Sequence, residues 1–136
     1  MSTPLPGGGA LFLIEQVEVI DRGAGIASVP LVGGEVGATN LSTGMTLIPP
    51  GGAIPFHTHN VEESVVLLEG IADVEVGGQT FRLNQYDTTY MPAGIPHRFK
   101  NVGDTTMRIL WIYPSIQTSR TLLDSGQTMD HLGRYD

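Results

Sequence analysis

The sequence predicts an all-β domain, a sandwich or barrel of short strands. Eighteen glycines and nine prolines make up about a fifth of the 136 residues. That is too many breakers for a helical bundle, where each interior Gly costs ~1 and each Pro ~3 kcal/mol. Short apolar runs recur at regular spacing with turn residues between them, as in sandwiches and barrels. No segment before Ser115 keeps a helical period over ten or more positions. Hydrophobic residues are 40% and charged ones 15%, a balance that supports a packed core and excludes disorder. The length fits one domain.

Taken in order, residues 1–10 are Pro, Gly and small side chains without periodicity, and read as a flexible lead-in. Residues 11–114 form the predicted barrel. Leu11 to Ile20 is a candidate strand, stopped by Asp21-Arg22-Gly23. Ile26 to Val32 and Leu41 to Ile48 follow, ended by Gly33-Gly34 and by Pro49-Pro50-Gly51-Gly52. Ile54 to His59 is short, and Ser64 to Leu68 is a nearly continuous apolar run closed by Gly70. Ile71 to Val76 and Gln79 to Leu83 flank Gly77-Gly78, a strong hairpin signal because both central positions of a type I′ turn need positive φ. Thr88 to Met91, His97 to Val102 and Met107 to Tyr113 complete the series. Residues 115–136 are a polar, irregular tail, expected as a surface arm or as an extra strand packed on a neighbouring subunit.

Composition narrows the function classes. The net charge is −7, which repels phosphate backbones and anionic lipid surfaces, so nucleic-acid and membrane partners are not expected. No stretch reaches the length of a membrane span. The N-terminus lacks a basic region followed by an apolar one, so a cytoplasmic location is the expectation. Cysteine is absent and histidine numbers four, which leaves imidazoles and carboxylates for any metal site.

His57-Thr58-His59 lies in a short strand, where alternation puts both imidazoles on one face. A turn at Asn60-Val61-Glu62 can return Glu63 to their side, while Glu62 points the other way. His97 opens a later strand after Pro92-Ala93-Gly94-Ile95-Pro96. Three imidazoles and one carboxylate suit a divalent transition metal: Fe, Mn, Ni, Cu, Co or Zn. One or two positions then stay open for water, substrate or O₂. His131, beside Asp130 in the tail, reads as a solvated residue.

The segment from Gly51 through His57, His59 and Glu63 to Gly70 resembles the first cupin motif at every fixed position. The segment from Tyr86 through Pro92, Gly94 and His97 to Asn101 resembles the second, with Tyr86 replacing its first glycine. The resemblance covers about 50 residues and implies a small single-domain cupin, a double-stranded β-helix (jelly-roll) barrel. It implies that His57, His59, Glu63 and His97 point into the barrel and that the barrel mouth takes the substrate.

Strand parity places Phe99 on the face of His97, and Trp111 with Ile109 and Tyr113. Phe99, Tyr90 and Trp111 are the candidate substrate-binding residues. Arg98 and Lys100 alternate outward, so the interior is expected to be largely apolar and unsuited to highly charged substrates. These features favour a mononuclear metal enzyme acting on a small, partly apolar or aromatic molecule by O₂-dependent dioxygenase chemistry, with Glu63 as ligand or as catalytic base. A non-redox isomerase, lyase or cyclase, or a sensor without turnover, remain alternatives. The apolar run Leu11-Phe12-Leu13-Ile14 predicts a homodimer.

Overall fold

The computed structural model describes residues 1–132. Its strands are β1 (Thr3–Pro4), β2 (Ala10–Leu11), β3 (Ile20–Gly23), β4 (Ile26–Pro30), β5 (Ser42–Ile48), β6 (His57–His59) and β7 (Glu63–Glu69). They continue with β8 (Ala72–Val76), β9 (Gln79–Leu83), β10 (Thr88–Met91), β11 (His97–Asn101), β12 (Met107–Tyr113), β13 (Ser119–Leu122) and β14 (Thr128–Asp130). The only helical pieces among the described residues are single 3-10 turns, and no helix is long and apolar enough to cross a membrane.

Two six-stranded antiparallel sheets make the body of an all-β jelly roll. The first has the order β10-β7-β12-β5-β4-β3, the second β14-β13-β6-β11-β8-β9. Alternation decides what each buries. Along β12, Met107, Ile109, Trp111 and Tyr113 are buried while the residues between them are half-exposed. Val65 and Leu67 of β7 do the same, and Ala72, Val74 and Phe99 of β8 and β11 face them from the second sheet. Each Val, Leu, Ile, Met or Phe among these contributes about 1.5–3 kcal/mol by leaving water.

The Gly77-Gly78 hairpin forms as expected, with φ of 60° and 75° and Val76 opposite Gln79. The expected strand over 11–20 does not. A 3-10 turn at Ile14–Gln16 interrupts it, and Arg22, expected in a turn, lies within β3. The lead-in over residues 1–10 folds back on itself: β1 pairs with β2 around Gly7 and Gly8, whose positive φ values allow the reversal. The tail is not a surface arm. β13 pairs with both β6 and β14 inside the second sheet; residues 133–136 lie outside the described residues.

Tyr86 takes the conformation that the missing motif glycine would. Its φ is 73°, left-handed, and its N–H donates to the Leu67 carbonyl at 2.6 Å. The residue is 69% exposed, so little packing compensates for the strain. A non-glycine residue there costs about 1–2 kcal/mol, and the extra freedom of an unfolded glycine returns part of that. Tyr86→Gly is therefore expected to stabilise the fold by about 0.5–1 kcal/mol, read from urea denaturation midpoints. An unchanged or lowered midpoint contradicts this account of the turn.

Gly44 is required for a different reason. It lies opposite Trp111 across β5 and β12. A Cβ at this position would overlap the Trp111 ring and sit 2.7 Å from the Val29 carbonyl oxygen.

Candidate metal centre

Strand β6 places the first two histidines. His57 and His59 are buried and Thr58 is half-exposed, as alternation requires. The chain then turns at Asn60 and crosses to the first sheet, where Glu63 opens β7 with its carboxylate buried. His97 begins β11 directly opposite His57, and its side chain is fully buried. The turn before β11 is held by the Gly94 N–H, which donates to the His59 carbonyl at 2.9 Å. Asn101, at the far end of β11, donates to the Ile48 and Thr105 carbonyls and so holds the loop after that strand.

Each imidazole donates its Nδ1–H to a backbone carbonyl. The partners are Pro55 for His57 at 2.8 Å, Ser119 for His59 at 3.0 Å and Ile95 for His97 at 2.8 Å. These bonds fix the tautomers and aim all three Nε2 lone pairs inward, the outer-shell arrangement typical of metal-ligating histidines. One ring nitrogen from each of the three lies within 4.8 Å of the others. His57 Nε2 and His59 Nε2 are 3.1 Å apart. Two lone pairs this close repel unless a cation or proton lies between them. Glu63 adds its carboxylate 3.1 Å from His97 Nε2 and 3.4 Å from His59 Nε2. The donor set, three imidazoles beside a carboxylate, fits a divalent transition metal.

The electrostatics of His57 and Glu63 favour the forms a metal needs, whereas those of His97 favour its protonated form. Burial, then His97 and His59, lowers the His57 pKa to about 3. Burial alone would raise the Glu63 pKa, but the neighbouring His59 and His97 outweigh it and hold the group ionised. His97 shifts upward, because Glu63 outweighs the effect of burial.

The site opens into a cavity of about 50 Å³. At ~10–15 Å³ per water centre, that is room for about four waters. Phe99 and Trp111 line it as expected, together with Tyr113. Tyr113 donates its hydroxyl to His59 Nε2 at 3.2 Å, and burial followed by the Glu63 charge raises its pKa well above that of an ordinary phenol. Trp111, His131 and Leu132 also line a second, open groove of about 570 Å³ and separate it from the inner cavity.

Three expectations need correction. Tyr90 is 63% exposed on the outer face. It pairs with Ser64, whereas Met91 pairs with inward-facing Glu63, so Met91 and not Tyr90 faces the interior. His131 is not a solvated tail residue. Its ring packs edge-on against Trp111 and Tyr113 at 4.9 and 5.1 Å, and burial lowers its pKa to about 4. Nor is the interior free of cations, since Arg22 and Arg120 both line the cavity. Arg120 lies opposite His59 in the β13–β6 pair and therefore shares its face. The polar run Ser119-Arg120-Thr121-Leu122 carries no apolar alternation that would have signalled this strand. Glu62 is exposed as expected, and Arg98 and Lys100 are outside, with Arg98 stacked 4.6 Å over Phe56.

Comparison with known proteins agrees with this geometry. The cupin domain profile matches residues 44–113, which include both histidine segments. Polyketide synthase CurC of Streptomyces cyaneus is 32% identical over 72% of this chain, and the chain spans 64% of that protein, just under two thirds. The tetracenomycin polyketide synthase protein TcmJ of Streptomyces glaucescens is 29% identical over 75% of the chain and 69% of its own length. A 5-nitrosalicylic acid 1,2-dioxygenase of a Bradyrhizobium species is 27% identical over 65% of the chain and 41% of its own length. In structure, the polyketide cyclase RemF of Streptomyces resistomycificus superposes with a TM-score of 0.68 at 23% identity, covering 76% of this chain and 77% of that one. The matched profile spans just over half of the sequence and takes in the whole histidine cluster: the chain belongs to the cupin domain family.

Proposed function

We propose that the protein is a metal-dependent enzyme that cyclises a polyketone by non-redox carbonyl chemistry. The observation that carries this reading is the pairing of Tyr113 and Glu63 beside the convergent histidines. Tyr113 keeps its proton at neutral pH and Glu63 has lost its own. One is a proton donor and the other an acceptor on the same cavity wall. His57, His59 and His97 would hold a divalent ion with Glu63 beside them. The ion supplies Lewis acidity, polarising a carbonyl oxygen.

The remaining chemistry belongs to the chain. Glu63 accepts a proton from a carbon next to one carbonyl. That carbon bonds to a second carbonyl carbon of the same molecule, and the resulting alkoxide takes a proton from Tyr113. Glu63 returns its proton to Tyr113, and loss of water leaves the ring. Phe99 and Trp111 give the reacting end an apolar wall. The polyketide synthase relatives support this substrate class, and the non-redox alternative gains from the cations and acid–base groups in the cavity.

The test is turnover of heptane-2,4,6-trione to orcinol by Zn(II)-loaded protein under argon. Product formed faster than in protein-free controls, without oxygen, is the expected result. A requirement for O₂ overturns it and favours the dioxygenase reading, which the Bradyrhizobium relative supports. No acceleration in either gas removes the cyclase assignment.

A further inference from the structure

Arg22 and Arg120 approach the inner cavity from opposite sheets, Arg22 on β3 and Arg120 on β13. Among the described residues neither forms an ion pair. Arg22 Nη1 donates to Ser28 Oγ at 2.8 Å and to the His131 carbonyl at 3.3 Å, both neutral acceptors. Arg120 Nη2 meets only the Met129 sulfur at 3.5 Å, and its Nε–H is buried with no partner. The nearby carboxylates are turned elsewhere. Glu63 faces His59 and His97, and Asp130 accepts the Leu132 N–H at 3.3 Å. Burial lowers both arginine pKa values; Arg120 adds to the effect on Arg22, and the Asp130 charge partly opposes it.

A buried donor without an acceptor is rare, and a half-buried pair of like charges is unfavourable unless something anionic joins it. A guanidinium offers paired N–H groups that match a carboxylate in two-point contact. The cavity they share with the histidines has room for about four waters, the scale of a carboxylate and the carbonyl next to it.

We infer that Arg120, assisted by Arg22, binds a carboxylate on the substrate, so that the molecule processed here is a keto acid entering as its anion. The inference rests on the reading of this cavity as a reaction site for carbonyl compounds, and it adds the charge of the substrate. It also reverses the expectation, drawn from the outward alternation of Arg98 and Lys100, that the interior is unsuited to highly charged substrates.

The experiment is calorimetric titration of the purified protein with acetoacetate and with acetoacetamide, its uncharged analogue of the same size. Charge-assisted hydrogen bonds of this kind make wild-type protein bind acetoacetate at least about tenfold more tightly than the amide. Arg120→Gln should remove that preference by weakening acetoacetate about tenfold while leaving the amide within about twofold. Arg120→Lys keeps the charge without the buried Nε–H, and should fall between the two. If near-UV circular dichroism shows that Arg120→Gln is unfolded, the lysine variant decides alone. Equal affinity for the two probes in wild type, or a ratio unchanged in the variant, overturns the inference. Preference for acetoacetate through Arg120, without cyclisation of the triketone, would keep this inference and end the cyclase reading. Cyclisation without the preference would do the reverse.

Discussion

Protein purified without chelator is expected to carry about one divalent transition-metal ion per chain, and His57→Ala and His97→Ala almost none, by elemental analysis. Loss of an outer partner of a metal-bound histidine typically costs ~10–100-fold in affinity, so loss of a ligand itself should exceed that. A second measurement separates lost ligation from lost folding. An ion that binds only the native state stabilises it by about 2.7 kcal/mol at a hundred times its Kd. Chelator should therefore lower the melting temperature of the wild type and leave the two variants unmoved. Equal metal content in wild type and variants, or an equal response to chelator, would show that the histidines do not form a metal site.

The second large effect is steric. Gly44→Ala places a methyl group against both the Trp111 ring and the Val29 carbonyl oxygen. Because the oxygen belongs to backbone paired in the same sheet, the tryptophan has to yield first. Overpacking of this kind costs about 1–3 kcal/mol and occasionally more. Displacement of Trp111 also breaks its Nε1–H donation to Thr46 Oγ1 at 3.1 Å. The expected loss is about 3 kcal/mol, measured by chemical denaturation. Trp111→Leu in the same background should recover part of it. A Gly44→Ala protein as stable as wild type would refute the packing described for β5 and β12.

The histidine cluster was legible because its information is local. His57, His59 and Glu63 fall within seven residues, and His97 sits behind a Pro-x-Gly turn. Met107–Tyr113 was also readable end to end, since strict alternation over seven residues leaves one strand register. What the sequence hid depends on pairing between distant segments. Ser119 orients His59, and Arg120 enters the cavity, because β13 adds itself to β6 some sixty positions upstream. Polar side chains gave that strand no apolar face to recognise. Arg22 was obscured because Asp21-Arg22-Gly23 has the composition of a turn, although Arg22 lies on the strand before it. Tyr90 failed for a smaller reason: in a four-residue strand the face assignment rests on the partner, and Ser64 opposite it points outward. The substitution at Tyr86 changed the residue without changing the turn, since the backbone accepts the left-handed conformation.

Trp111 is the single tryptophan in the chain. It stands in the wall between the two cavities, stacked 5.4 Å from Tyr113 and touching the ring of His131. All indole fluorescence from this protein therefore originates at the candidate centre. An open-shell ion such as Co(II) or Cu(II) arriving at the histidines would quench that emission, whereas closed-shell Zn(II) would not. The molecule thus has an intrinsic optical gauge of site occupancy, usable without a label.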